Sequence, residues 1–155
     1  MASIAHLDVL FQELGPATDE VTEVFQDDSE HWSVVVHGET QIALELDSAQ
    51  QKLILSTTLG APSEQRRLET YELLLISNHA RSQVGGITMA LTGPQGHVVQ
   101  MYELNTTELT LQILQTVLVS FAAKSHFWKE IVTLELAAPE FVPEDLSSLG
   151  NMLRI

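Results

Sequence analysis

Ile4, Leu7, Leu10, Phe11 and Leu14 recur at spacings of three and four, the period of a helix with one apolar face. Ser3 stands where an N-cap belongs, and Gly15-Pro16 predicts a firm stop after Leu14. The acidic stretch 17–30 is ambiguous: Val21 to Phe25 can form a short strand, and Asp27-Asp28-Ser29-Glu30 reads as a turn. Trp32 to Val36 is rich in β-branched and aromatic residues and ends in the tight turn His37-Gly38-Glu39. Ile42, Leu44 and Leu46 then alternate with Ala43, Glu45 and Asp47, and Leu53, Leu55, Thr57 and Leu59 alternate again. Three strands joined by short turns predict an antiparallel meander.

After Gly60-Ala61-Pro62 the period changes. From Glu64 to about Asn78 the spacing predicts a helix with Leu68, Tyr71, Leu74 and Leu75 on its apolar stripe. Gly85-Gly86 breaks the chain again, and Ile87, Met89 and Leu91 alternate before the turn Gly93 to Gly96. Val99 and Met101 lie on the return strand. Thr106 or Thr107 is the expected cap of a long helix carrying Leu111, Leu114, Leu118, Phe121 and Trp128 on one face. The expected class is α+β: a twisted antiparallel sheet of about five strands with three helices, in the order α-β-β-β-α-β-β-α. One domain over 1–136 is expected, followed by an irregular tail over 137–155 with two prolines.

Composition narrows the function. Seven basic residues against 21 acidic ones give a formal charge of −14, which opposes binding to nucleic acid or anionic lipid. No window reaches the roughly 18 apolar residues of a membrane span, and no cationic start precedes an apolar run, so a cytoplasmic protein without membrane insertion is expected. The absence of cysteine removes disulfides, a thiol nucleophile and cysteine-based metal sites. No phosphate-binding glycine loop or nucleophile elbow occurs. His126 and Glu130, one helical turn apart, are the best metal pair, but two ligands do not make a site. Asp27, Asp28, Glu30 and His31 lack the alternation and the glycine of a calcium loop. No enzyme activity, cofactor or metal is expected; a small metal enzyme built on His126 and Glu130 is the competing reading.

Apolar surplus is more informative. Val35 points opposite to Trp32, Val34 and Val36, and Ile54 opposes Leu53 and Leu55, so neither sheet face is wholly polar. Leu73 to Ile76 puts four consecutive apolar residues on a helix, more than one face needs, as either a deeply buried helix or one shared with a second subunit would show, and the second is preferred.

The order of these pieces resembles the class I type III secretion chaperones, the Tir chaperone-like family. Phe11 to Gly15 resembles the end of that family's first helix, and Ile42 to Asp47 with Leu53 to Gly60 its central strand pair. Leu73 to Asn78 is similar to the close of its second helix, Gly86 to Leu91 and Val99 to Leu104 to its second hairpin, and Leu109 to Trp128 to its last helix. The resemblance implies a homodimer that binds the N-terminal region of a secreted effector and keeps it soluble and secretion-competent. It places effector binding on Leu7, Leu10, Phe11, Val35 and Ile54, and the dimer interface on Leu74, Leu75, Ile76, Met89 and Met101. The secretion ATPase or a regulatory protein are the further partners it implies. The end of the chain, Gly150 to Ile155, resembles members that act by partner exchange, so a protein that sequesters a regulator of secretion genes is the alternative function.

Overall fold

The alternating segments do form strands. The computed structural model describes residues 3–83 and 85–134, so the expected tail over 137–155 lies outside the described residues. In chain order the elements are α1 (Ile4–Ala17), β1 (Val21–Gln26), β2 (His31–Val36), β3 (Thr40–Asp47), β4 (Lys52–Gly60), a 3-10 turn (Glu64–Arg66), α2 (Arg67–His79), β5 (Thr88–Leu91), β6 (Val98–Asn105) and α3 (Leu111–Thr133). The class is α+β as expected, with three α-helices and six strands rather than five among the described residues. The added strand is β1, whose acidic sequence hides it. Val21, Val24 and Phe25 supply the β-forming residues, and pairing with β2 overrides the local polarity. The strands form one sheet in the order β1-β2-β3-β4-β6-β5, which leaves β1 and β5 as the edges. The pairs β1–β2, β2–β3, β3–β4 and β5–β6 are antiparallel. Two compact units divide the chain, Met1–Thr57 with Tyr102–Ala123 and Thr58–Met101 with Lys124–Ile155.

In the first unit, Ser3 caps α1: its Oγ accepts from the His6 N–H at 3.2 Å. Leu7, Leu10, Phe11 and Leu14 are buried along one stripe. The helix does not stop at Gly15-Pro16 but continues to Ala17. Gly15 has no Cβ to clash with the following proline ring, so the helical conformation survives there. The Thr18 N–H then closes the end on the Gly15 carbonyl. In the strands, Trp32 lies opposite Leu44, Leu44 opposite Leu55, and Val34 opposite Ile42. All five are buried, each contributing about 1.5–3 kcal/mol by leaving water. The other face carries Phe25, Ser33, Ala43 and Ser56 in one cross-strand row, with Val35 beside Gln41 and Ile54 beside Glu45.

The start of α3 differs from the expected cap at Thr106 or Thr107. Thr110 is the cap, its Oγ1 accepting from the Ile113 N–H at 3.2 Å. Thr106 is used elsewhere: its hydroxyl and its N–H both donate to the Gln51 carbonyl, each at 3.0 Å. Leu114, Val117, Leu118 and Phe121 bury the inner face of α3 within this unit.

The second unit turns α2 differently from the expected stripe. Leu73 and Leu74 are buried, but Leu68 and Leu75 are 73% and 68% exposed. The inner stripe is Arg66, Thr70, Leu73, Leu74 and Ser77, helical in period but partly polar. Arg66 explains part of this. Its Nη1 donates to the carbonyls of Ile131 and Leu134 at 3.2 and 2.9 Å, placing a cation on the unpaired carbonyls at the end of α3. At Gly60 the backbone has φ +88°, and a Cβ would sit 3.0 Å from Thr133 Cγ2, so only glycine fits without a shift.

Candidate functional site

Where α1 lies beside β1, the first unit has a groove of about 390 Å³. Phe11 and Trp32 line it, their rings stacked at 4.7 Å and 14°. Pro16, Val21 and Val24 add apolar wall, and Asp8, Gln12, Thr22, Glu23 and Gln26 give polar lining. A Cβ added at Gly15 would meet Val24 Cγ2 at 3.8 Å, an ordinary contact at the groove wall. Asp8 Oδ1 accepts from Gln26 Nε2 at 3.0 Å, a link between helix and strand. The lining holds two carboxylates and no cation. The Trp32 indole N–H is buried and finds no hydrogen-bond partner among the described residues.

Beside the groove runs the free edge of β1. The Asp27 N–H donates to the His31 carbonyl at 2.9 Å, which sets the alternation of the hairpin. Phe25 therefore turns its backbone groups toward Ser33, while Val24 and Gln26 turn theirs out to the open edge. A register shift between Val21 and Glu23 bends the start of the strand. The open face of the same sheet carries Phe25, 52% exposed, with Val35 and Ile54 half-buried.

The acidic β1–β2 turn is organised by its own hydrogen bonds. Asp28 Oδ1 accepts from the Glu30 N–H and from His31 Nδ1, both at 2.8 Å. The Glu30 N–H, then His31, hold the Asp28 carboxyl below the usual range, and Asp28 in turn raises the His31 imidazole. Among the described residues no group of three or more His, Asp or Glu side chains comes together to hold a metal ion. His126 Nε2 and Glu130 Oε1 lie 3.5 Å apart on an exposed helix face. No helix of the described residues is long and apolar enough to cross a membrane.

The residues expected from sequence are divided by the fold. Leu7 and Leu10 are turned into the core, 0% and 5% exposed, because a helix buries its most regular apolar stripe against its own sheet. Phe11 is also buried but lines the groove. Val35 and Ile54 do lie on the face opposite the core. Leu74 and Met89 are buried within their own unit, and Met101 is half-buried. Leu75 and Ile76 are exposed, and Leu68 and Leu91, not singled out from sequence for an interface, are exposed as well. The groove itself had no signal in sequence beyond Trp32, since it depends on where α1 lies beside β1.

Three helices with an antiparallel sheet, a free edge strand and a groove beside that edge define an α+β domain. A sequence model of the Tir chaperone protein (CesT) family matches residues 10–129, and the chain belongs to that family. No curated protein matches it. Solved structures of other proteins share its fold. A chain of the HopA1–SchA chaperone–effector complex is 15% identical, over 84% of this chain and 98% of that one, with a TM-score of 0.66. A chain of the ExsC–ExsE complex is 14% identical, over 88% and 100%, with a TM-score of 0.67. A chain of the heterodimeric ExoU–SpcU complex from the type III secretion system of Pseudomonas aeruginosa is 12% identical, over 81% and 97%, with a TM-score of 0.52.

Proposed function

We propose that this chain is a cytoplasmic, non-catalytic type III secretion chaperone, a homodimer that holds the N-terminal segment of a secreted effector in extended form. The observation that carries this reading is the open β1 edge beside the groove floored by Phe11 and Trp32. Outward backbone groups at Val24 and Gln26 pair with an extended client, and the floor of Phe11 and Trp32 takes an apolar anchor. Phe25, Val35 and Ile54 offer apolar contact to a client that continues across the open face. The excess of acidic residues surrounds these patches with like charge, which keeps the loaded complex soluble. Leu68, Leu75 and Ile76 are the surface proposed for the second copy.

The test is copurification from the native background with identification of the bound proteins, for the wild type and for Val24→Pro. Proline at an outward position leaves the β1–β2 ladder in place and removes the donor at the open edge. The expected result is a secreted protein bound by the wild type and lost from a still dimeric variant. Full binding by the variant, or no exported partner, overturns the proposal. The similarity to a chain of the ExsC–ExsE complex and the resemblance of Gly150 to Ile155 to partner-exchanging members favour a second reading, a protein that sequesters a regulator. Copurification of a transcriptional control protein in place of an exported one decides for it.

A further inference from the structure

The two edge strands of the sheet are finished differently. In the second hairpin the Thr92 N–H donates to the His97 carbonyl at 3.0 Å, which sets the alternation of β5 against β6. Ala90 faces Val99 with its backbone groups, while Met89 and Leu91 turn theirs outward. An edge left this way is a template for a further strand. At Met89 it is not left this way. Asn78, in the last turn of α2, accepts the Met89 N–H on Oδ1 at 2.7 Å and donates from Nδ2 to the Met89 carbonyl at 2.9 Å. These are the two bonds that a neighbouring strand would make to Met89. A side-chain amide is suited to the position because, like a peptide group, it offers a donor and an acceptor in one plane. On β1, by contrast, no side chain among the described residues bonds to the outward backbone groups of Val24 or Gln26.

We propose that Asn78 is an edge guard: it occupies the strand-accepting site of β5 and confines strand addition to β1. The proposal rests on the reading that a client adds at β1, and it identifies the residue that makes the sheet one-ended. A second copy of the chain is then excluded from continuing the sheet at Met89 and is left to associate by side-chain packing.

The test uses amide hydrogen exchange and light scattering on the full chain. In the client-free wild type, the Met89 amide exchanges about tenfold more slowly, or slower still, than those of Val24 and Gln26 after correction for intrinsic rates. In Asn78→Ala, Met89 loses that protection at low concentration, and at high concentration the chain assembles beyond the wild-type mass. Adding Met89→Pro, which removes the freed donor, returns the mass to the wild-type value. Equal exchange at Met89 and Val24 in the wild type overturns the proposal even where Asn78→Ala fails to fold. So does a folded Asn78→Ala with unchanged exchange and mass. Protection of Val24 and Gln26 by a copurified client is a separate readout: its absence defeats the proposed function and leaves the Met89 result standing.

Discussion

Replacing Gly15 separates the folding of this chain from its proposed binding. In Gly15→Ala the new methyl lies 3.8 Å from Val24 Cγ2, an ordinary contact. Two backbone effects oppose each other: alanine favours a helix over glycine by about 1 kcal/mol, and a Cβ before Pro16 disfavours the helical conformation. The net change in stability is expected to stay within about 1 kcal/mol. Gly15→Leu keeps the same backbone terms but projects a side chain into the groove between Val24 and Pro16. It displaces one apolar anchor of the client, and burial of such an anchor contributes about 1.5–3 kcal/mol. Affinity is therefore expected to fall about ten- to a hundredfold. Trp32 is one of two tryptophans, so its fluorescence in a Trp128→Phe background reports occupancy of the groove, and urea unfolding reports stability. A Gly15→Leu protein that folds normally and binds its copurified partner with unchanged affinity refutes the assignment of the groove.

Leu75→Asp with Ile76→Asp, both at exposed positions, is expected to give a folded monomer by sedimentation with unchanged circular dichroism. Arg66→Ala removes two charged hydrogen bonds from the end of α3 and is expected to cost about 1.5–3 kcal/mol in urea unfolding, with faster exchange at Val132. Lys124 is 3% exposed, its Nζ finds no hydrogen-bond partner among the described residues, and burial pushes its pKa down to about 8 from the ordinary 10.5. Because the folded pKa lies below the unfolded one, the unfolded chain binds the extra proton between those values. Stability is therefore expected to rise from about pH 8 toward 10.5, by about 3 kcal/mol at most. Lys124→Met is expected to be more stable than wild type at pH 7 and to lose that rise, measured by urea unfolding at pH 7 and 9.5.

Sequence alone made the meander legible because Ile42, Leu44 and Leu46 need only their own alternation to declare which face is buried. The same parity put Val35 and Ile54 on the opposite face, where the structure has them. Elements whose state depends on a distant partner were less visible. β1 is a strand because β2 lies beside it, in spite of its carboxylates. Thr106 looks like a cap until its hydroxyl is found on the Gln51 carbonyl, which passes the role to Thr110. α2 hides its inner face because Arg66, Thr70 and Ser77 are polar, and only the carbonyls at the end of α3 show why an arginine lies buried there. The groove depends on a helix running through Gly15-Pro16, where sequence rules end one.

The most direct test of the central claim is amide and side-chain chemical-shift mapping of the protein as its copurified partner segment is added. Binding at the open edge predicts the largest changes at Val24, Gln26, Phe11 and Trp32, with new protection of the Val24 and Gln26 amides. Changes confined to Leu68, Leu75 and Ile76, with the β1 edge still exchanging freely, would contradict the account.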